Sequence, residues 1–230
     1  MLEIRDLHAF YGESHILHGV SLDVRKGEVV TLLGRNGAGK TTTMRSIMGI
    51  VGRRTGSIKL NGAELVGLPS NKIAKLGIGY VPEERGIFSS LNVEENLMLP
   101  PMVKAGGMEV EAIYTLFPNL KERRKSQGTR LSGGEQQMLA IGRILRTGAD
   151  FILLDEPTEG LAPVIIQQIG RVVRELKQRG LTILLVEQNF RFAATVADRH
   201  YVMEDDRVVD MIPAADVERS IDKLHAYLGV

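Results

Sequence analysis

The densest chemistry in this chain sits in eight residues, GRNGAGKT, from Gly34 to Thr41. Gly34, Gly37 and Gly39 let the backbone curl until successive N–H groups point inward at an anion. Arg35, Asn36 and Ala38 complete the turn. Lys40 supplies a compact positive charge for phosphate oxygens and Thr41 a hydroxyl suited to Mg²⁺, with Thr42 next in line. The spacing G-x-x-x-x-G-K-[ST] gains its meaning from what flanks it. VVTLL (29–33) precedes it, the continuous apolar run of a strand covered on both faces. A helix with Met44, Ile47 and Met48 on one side follows, so a positive dipole end adds to the cradle. This arrangement predicts a site for a nucleoside triphosphate.

Two carboxylates complete that chemistry. In FILLDEPT, four apolar residues carry Asp155 to the C-terminal tip of a buried strand, where ligands of open α/β sheets bind. Asp155 is a hard oxygen donor for Mg²⁺. Glu156, one residue on, points elsewhere and can accept the proton of an attacking water. A second strand, TILLV, runs into Glu187, Gln188 and Asn189, three polar side chains that must find partners at a buried tip.

The elements that must position these groups follow from pattern. LEIRDL and HILHGVSLDV read as strands, the second ending at the Lys26-Gly27 turn, and SIKL as a strand closed by Asn61-Gly62. A helical stretch from Pro69 and the strand IGYV end the first half. VEENLML, MEVEAIYTLF and EQQMLAIGRIL are helical patterns, read as an inserted helical subdomain over about 84–148. FILLD and TILLV then bracket an amphipathic helix over 162–179. A strand pair around YVMEDDRVV leads to a last helix with Val217, Ile221, Leu224 and Leu228 on one face. Strands alternating with helices imply an α/β fold with a mainly parallel sheet, a core of 1–83 and 149–230 in one 230-residue domain.

Composition narrows the classes. Hydrophobic residues make up 43% and charged residues 25%, ordinary for a globular domain. A net charge of +1 gives no basic excess for a nucleic-acid backbone, so no nucleic-acid partner is expected. The absence of cysteine excludes disulfides and thiolate zinc sites. MLEIRDLHAF lacks the apolar core of a signal peptide, and no apolar run approaches the ~18 residues of a membrane span. A soluble, cytoplasmic chain is the expectation.

LSGGEQQMLAIGRIL (131–145) separates this chain from other phosphate-loop proteins. With GRNGAGKT before it and ILLDEPT after it, it resembles the signature motif of ABC-type ATPases, over essentially the whole chain. The resemblance implies the phosphate-loop (RecA-like) core of that family with an N-terminal antiparallel β segment, and hydrolysis of ATP with Mg²⁺. It also implies a head-to-tail dimer, in which Ser132, Gly133, Gly134 and Glu135 of one subunit close over the nucleotide of the other. Tyr11, in FYGES, matches the aromatic that stacks on adenine. Glu83, in YVPEE, stands where the family normally carries a glutamine beside the metal. Gln188 stands where most members carry a histidine; an amide keeps an N–H donor of similar reach but cannot titrate near neutral pH. Catalysis is thereby assigned to Glu156, Gln188 and Lys40, and the metal to Thr41, Asp155 and Glu83.

VPEE, EGLAP (with Ala162 for the usual aspartate) and LVEQN resemble the LivF-type ATPases of bacterial branched-chain amino acid importers. That likeness implies a second, different ATPase subunit, two polytopic permease subunits and a periplasmic solute-binding protein. It implies a peripheral place on the cytoplasmic face of the inner membrane. Importers of urea, amides or aromatic acids are the alternative, and a one-domain nucleic-acid- or ribosome-associated ATPase a more distant one. A guanine-specific GTPase is disfavoured because the Asn71-Lys72 pair lacks the aspartate of N-K-x-D.

Overall fold

The structure is a computed structural model and describes residues 1–229. Two sheets build it. Strands β1 (Leu2–Tyr11), β2 (Ser14–Val24), β4 (Arg53–Leu60) and β5 (Ala63–Glu64) form an antiparallel sheet in the order β2-β1-β4-β5. The second sheet runs β10-β9-β3-β8-β7-β6, from β3 (Val29–Leu33), β6 (Ile78–Val81), β7 (Phe151–Asp155), β8 (Thr182–Glu187), β9 (Arg199–Glu204) and β10 (Arg207–Pro213). All its pairings are parallel except β9 with β10. The expected antiparallel segment and mainly parallel sheet are both present.

Every residue of β3, β7 and β8 is buried, which is why these strands read as unbroken apolar runs. Their side chains alternate between two cores. Leu32, Leu153, Leu184 and Val186 meet Leu2, Ile4 and Leu17 of the antiparallel sheet and Met44 and Ile47 of α1 (Lys40–Ile47). Ile152, Leu154, Ile183 and Leu185 meet the helices on the other side. Those helices are α3 (Val93–Met98), α4 (Val110–Leu116), α5 (Pro118–Glu122), α6 (Gly133–Arg146) and α7 (Pro163–Gln178); α2 (Ser70–Lys75) lies earlier in the chain. Apolar residues of α3, α4 and α6 share one continuous core with β7 and β8.

Several boundaries differ from the sequence reading. β1 and β4 extend past LEIRDL and SIKL, and α5, α8 (Phe190–Ala194) and the short β5 were not anticipated. These are elements of two to five residues, too short to show a period. The final helix α9 is Ile221–Leu228, so Val217 lies outside it between two short 3-10 turns. Leu224 and Leu228 are buried as expected, but Ile221 is 40% exposed. The helix start turns Ile221 outward and Val217 reaches the same core from the preceding turn.

Candidate active site

The phosphate loop joins β3 to α1, and its shape depends on glycine at two points. Gly39 caps α1 with φ +89, a left-handed conformation that side chains disfavour. A Cβ on Gly34 would lie 2.5 Å from the Met203 carbonyl oxygen, so β9 packs against the loop from behind. Ala38 is buried under the turn while Arg35, Asn36 and Gly37 stay exposed. Lys40 is 4% exposed. Its ammonium donates to the Gly34 and Arg35 carbonyls at 2.8 and 3.0 Å and pairs with the Glu156 carboxylate at 3.1 Å.

Glu156 leaves the tip of β7 with φ +44, rare for a residue with a side chain and costing on the order of 1–2 kcal/mol. A hydrogen bond from its N–H to the Val186 carbonyl on β8, at 3.0 Å, holds it there. Strain kept at one carboxylate facing Lys40 marks a site where position outweighs stability.

Asp155, fully buried, accepts from the Thr41 hydroxyl at 3.1 Å and from the Tyr80 hydroxyl on β6 at 2.8 Å. Burial raises its carboxyl above the usual range, opposed by those two hydrogen bonds. Glu83 is also raised, by partial burial and then by Glu159, Glu156 and Asp155. Thr41 and Asp155 are hard oxygen donors side by side, a donor set that fits Mg²⁺. Among the described residues no three His, Cys, Asp or Glu side chains converge on one point. Mg²⁺ suits such a sparse site, because it takes most of its shell from phosphates and water.

Lys40, Thr41, Glu83 and Glu156 line one open cleft of about 430 Å³, while Asp155 is fully buried and bonded to Thr41 on its wall. Its wall includes Tyr11, Asn36, Gly37, Gly39, Lys40, Thr41, Thr42, Glu83 and Glu156, with Ile16 and Glu159 added by the fold. Tyr11 is 44% exposed at the β1–β2 hairpin end, on the wall of this cleft.

Two sets of expected residues lie elsewhere. Ser132 caps α6 and makes a capping box with Glu135: its hydroxyl accepts from the Glu135 N–H at 3.3 Å, while Glu135 accepts from the Ser132 N–H at 2.7 Å. Ser132, Gly133, Gly134 and Glu135 are outside this cleft. Gln188, expected among the catalytic residues, has an exposed side chain that is not part of the cleft wall. The strand ends one residue earlier, with Glu187, and the chain turns at Gln188 into α8.

Sequence reasoning passed over Tyr80 and Thr158 and gave Glu187 no role. Glu187 is 2% exposed; its carboxylate accepts from the Thr158 hydroxyl and N–H at 2.8 and 3.3 Å and from the Asn189 N–H at 3.3 Å. The signal was present, since Glu187 ends its apolar run as Asp155 ends FILLD.

A family model described as ABC transporter matches residues 17–159. The chain is 45% identical over 232 residues to the high-affinity branched-chain amino acid transport ATP-binding protein BraG of Pseudomonas aeruginosa, covering 100% of both. It is 38% identical over 215 residues to a probable branched-chain amino acid transport ATP-binding protein LivF of Archaeoglobus fulgidus, covering 90% of each. A dimeric ATP-binding cassette solved in a post-hydrolysis state with ADP and Pi has a TM-score of 0.81 at 25% identity, over 93% of this chain and 99% of that one. The phosphate loop, its facing carboxylates and these likenesses converge: the chain belongs to the ABC transporter family and is an ATP-binding, ATP-hydrolysing subunit of such a transporter.

Proposed function

We propose that this subunit powers the import of branched-chain or other hydrophobic amino acids. Its full-length likeness to BraG is the observation that supports this solute class. In this reading the chain sits on the cytoplasmic face of a bacterial inner membrane, where a helical lobe over about 84–148 docks on two polytopic permease subunits. A periplasmic solute-binding protein feeds them. A second ATPase subunit of different sequence packs head to tail with this one, and nucleotide in each cleft is closed by the partner's counterpart of Ser132–Glu135.

Within the cleft, the loop N–H groups and Lys40 bind the triphosphate, and Tyr11 stacks on adenine. Lys40 exchanges its contacts with Gly34, Arg35 and Glu156 for phosphate oxygens, which frees the Glu156 carboxylate. Thr41 and Asp155 would hold Mg²⁺, with Glu83 beside them; the ion supplies charge neutralisation at the phosphates. Glu156 takes the proton of the attacking water. Gln188 reaches the transferred group only if closure of the dimer moves the β8 tip inward. Dimer closure by ATP and release by hydrolysis give the cycle that drives transport.

The carrying observation for the mechanism is the Lys40–Glu156 pair across the cleft. Glu156→Gln should retain ATP and accumulate a closed dimer while hydrolysis falls about 10²–10⁴-fold. Size-exclusion chromatography with ATP, beside a phosphate-release assay, checks both; hydrolysis at the wild-type rate overturns the role of Glu156.

A further inference from the structure

Glu187 has no part in the mechanism above, yet at 2% exposed it is more deeply enclosed than Glu156. One of its oxygens takes both donors of Thr158 and the other takes the Asn189 N–H. Thr158 lies in the turn that begins at Glu156, a turn closed by the Glu159 N–H on the Glu156 carbonyl at 3.1 Å. Asn189 follows Gln188 and caps α8 by accepting from the Phe192 N–H at 3.1 Å. A single carboxylate thus joins the turn that carries Glu156 to the strand tip that carries Gln188.

Stability alone does not call for a carboxylate here. A buried charge is costly, and an apolar residue would suit a strand end whose four preceding positions are apolar. A group that only accepts hydrogen bonds is, however, the one side chain able to take three converging donors. We propose that Glu187 is a positioning residue for ATP hydrolysis, its carboxylate fixing the Glu156 turn and the Gln188 tip relative to one another. This rests on the hydrolytic mechanism proposed above.

The environment of Glu187 supplies the readout. Burial pushes its carboxyl up to about 7, the Thr158 and Asn189 hydrogen bonds oppose this, and the charge on Glu156 adds to it. From β3 its register partner is Leu33, which brings no charge. The titratable group facing it is Glu156, from the turn after β7. Protonation places an O–H among three donors and loosens the tie, so kcat rises with pH through neutrality.

The test uses the chain co-purified with its transporter partners, with steady-state ATP hydrolysis followed from about pH 6 to about pH 8.5, on either side of the Glu187 transition. Glu187→Gln should lower kcat about tenfold or more, the loss expected for a hydrogen bond to a charged group. KM for ATP should stay within about twofold and the limb near neutrality should vanish. Thr158→Val, which removes a hydrogen bond favouring the charged form, should keep the limb but move it to higher pH. A folded Glu187→Gln enzyme with wild-type kcat and an unchanged limb overturns the proposal. So does a kcat loss that follows lowered thermal stability while the limb persists. If Glu187→Gln does not fold, Thr158→Val decides, and an unmoved limb overturns the idea. Wild-type hydrolysis rates in Glu156→Gln would instead overturn the mechanism beneath it, a separate result.

Discussion

At the scale of single residues, Lys40 and Glu156 face each other at 3.1 Å, and each is held by backbone rather than by chance contact. Lys40→Ala removes the charge that the loop carbonyls and Glu156 now share. Nucleotide affinity should fall by about tenfold or more, as for loss of a charged hydrogen bond, in an equilibrium binding titration. Glu187 makes a stability prediction of its own. Its carboxyl rises from 4.5 to about 7 on folding, so between those values the folded state holds a proton that the unfolded chain has released. Stability therefore declines as pH rises through that window, and the decline should be weaker in Glu187→Gln. Melting curves across the same window check the sign. In the pH profile of ATP hydrolysis, Gln188→His should add a second limb near ~6.5 beside the one assigned to Glu187. The phosphate loop, Asp155 at the end of β7 and Glu156 just past it were legible because glycine spacing and acids at a buried strand tip have few other uses. The Glu187 ties were not, because Thr158 meets Glu187 across 29 residues of chain, and that proximity exists only once β7 and β8 are paired.

At the scale of elements, α7 begins without a side-chain cap. Ala162 occupies the N-cap with extended backbone, φ −66 and ψ 148, and Pro163 follows at the first helical position. Ala162→Asp should stabilise the fold by about 0.5–2 kcal/mol, a melting shift of about 1–8 °C for a domain this size. An unchanged melting temperature would show that the N-cap is already satisfied by water. Gly34→Ala should do the reverse, since its Cβ would collide with β9 backbone. Elements of eight or more residues, such as α6, α7 and the hairpin pair β1–β2, were readable from their periods and turns. The largely apolar runs of β3, β7 and β8 showed burial on both faces but not their order. That order, β3-β8-β7, comes from crossovers through helices and leaves no mark in any one segment.

At the scale of the whole molecule, no helix among the described residues is long and apolar enough to cross a membrane. If the proposed assembly is right, tagged chain drawn from detergent-solubilised membranes should bring with it two polytopic proteins and a second ATPase. Recovery of ribosomal or DNA-bound proteins alone would remove the transport assignment for this chain and leave its ATPase chemistry standing. The strand that carries the phosphate loop has a further consequence, for how the chain is made. β3 ends at Leu33, but both of its neighbours, β8 and β9, come from residues 182–204. Pairings so distant along the chain form late, after a long loop closure. On the ribosome the nucleotide cradle cannot acquire both neighbours of β3 until the chain through Glu204 has emerged. A fragment ending near residue 159, however complete its motifs, should neither fold its central sheet nor retain ATP during synthesis.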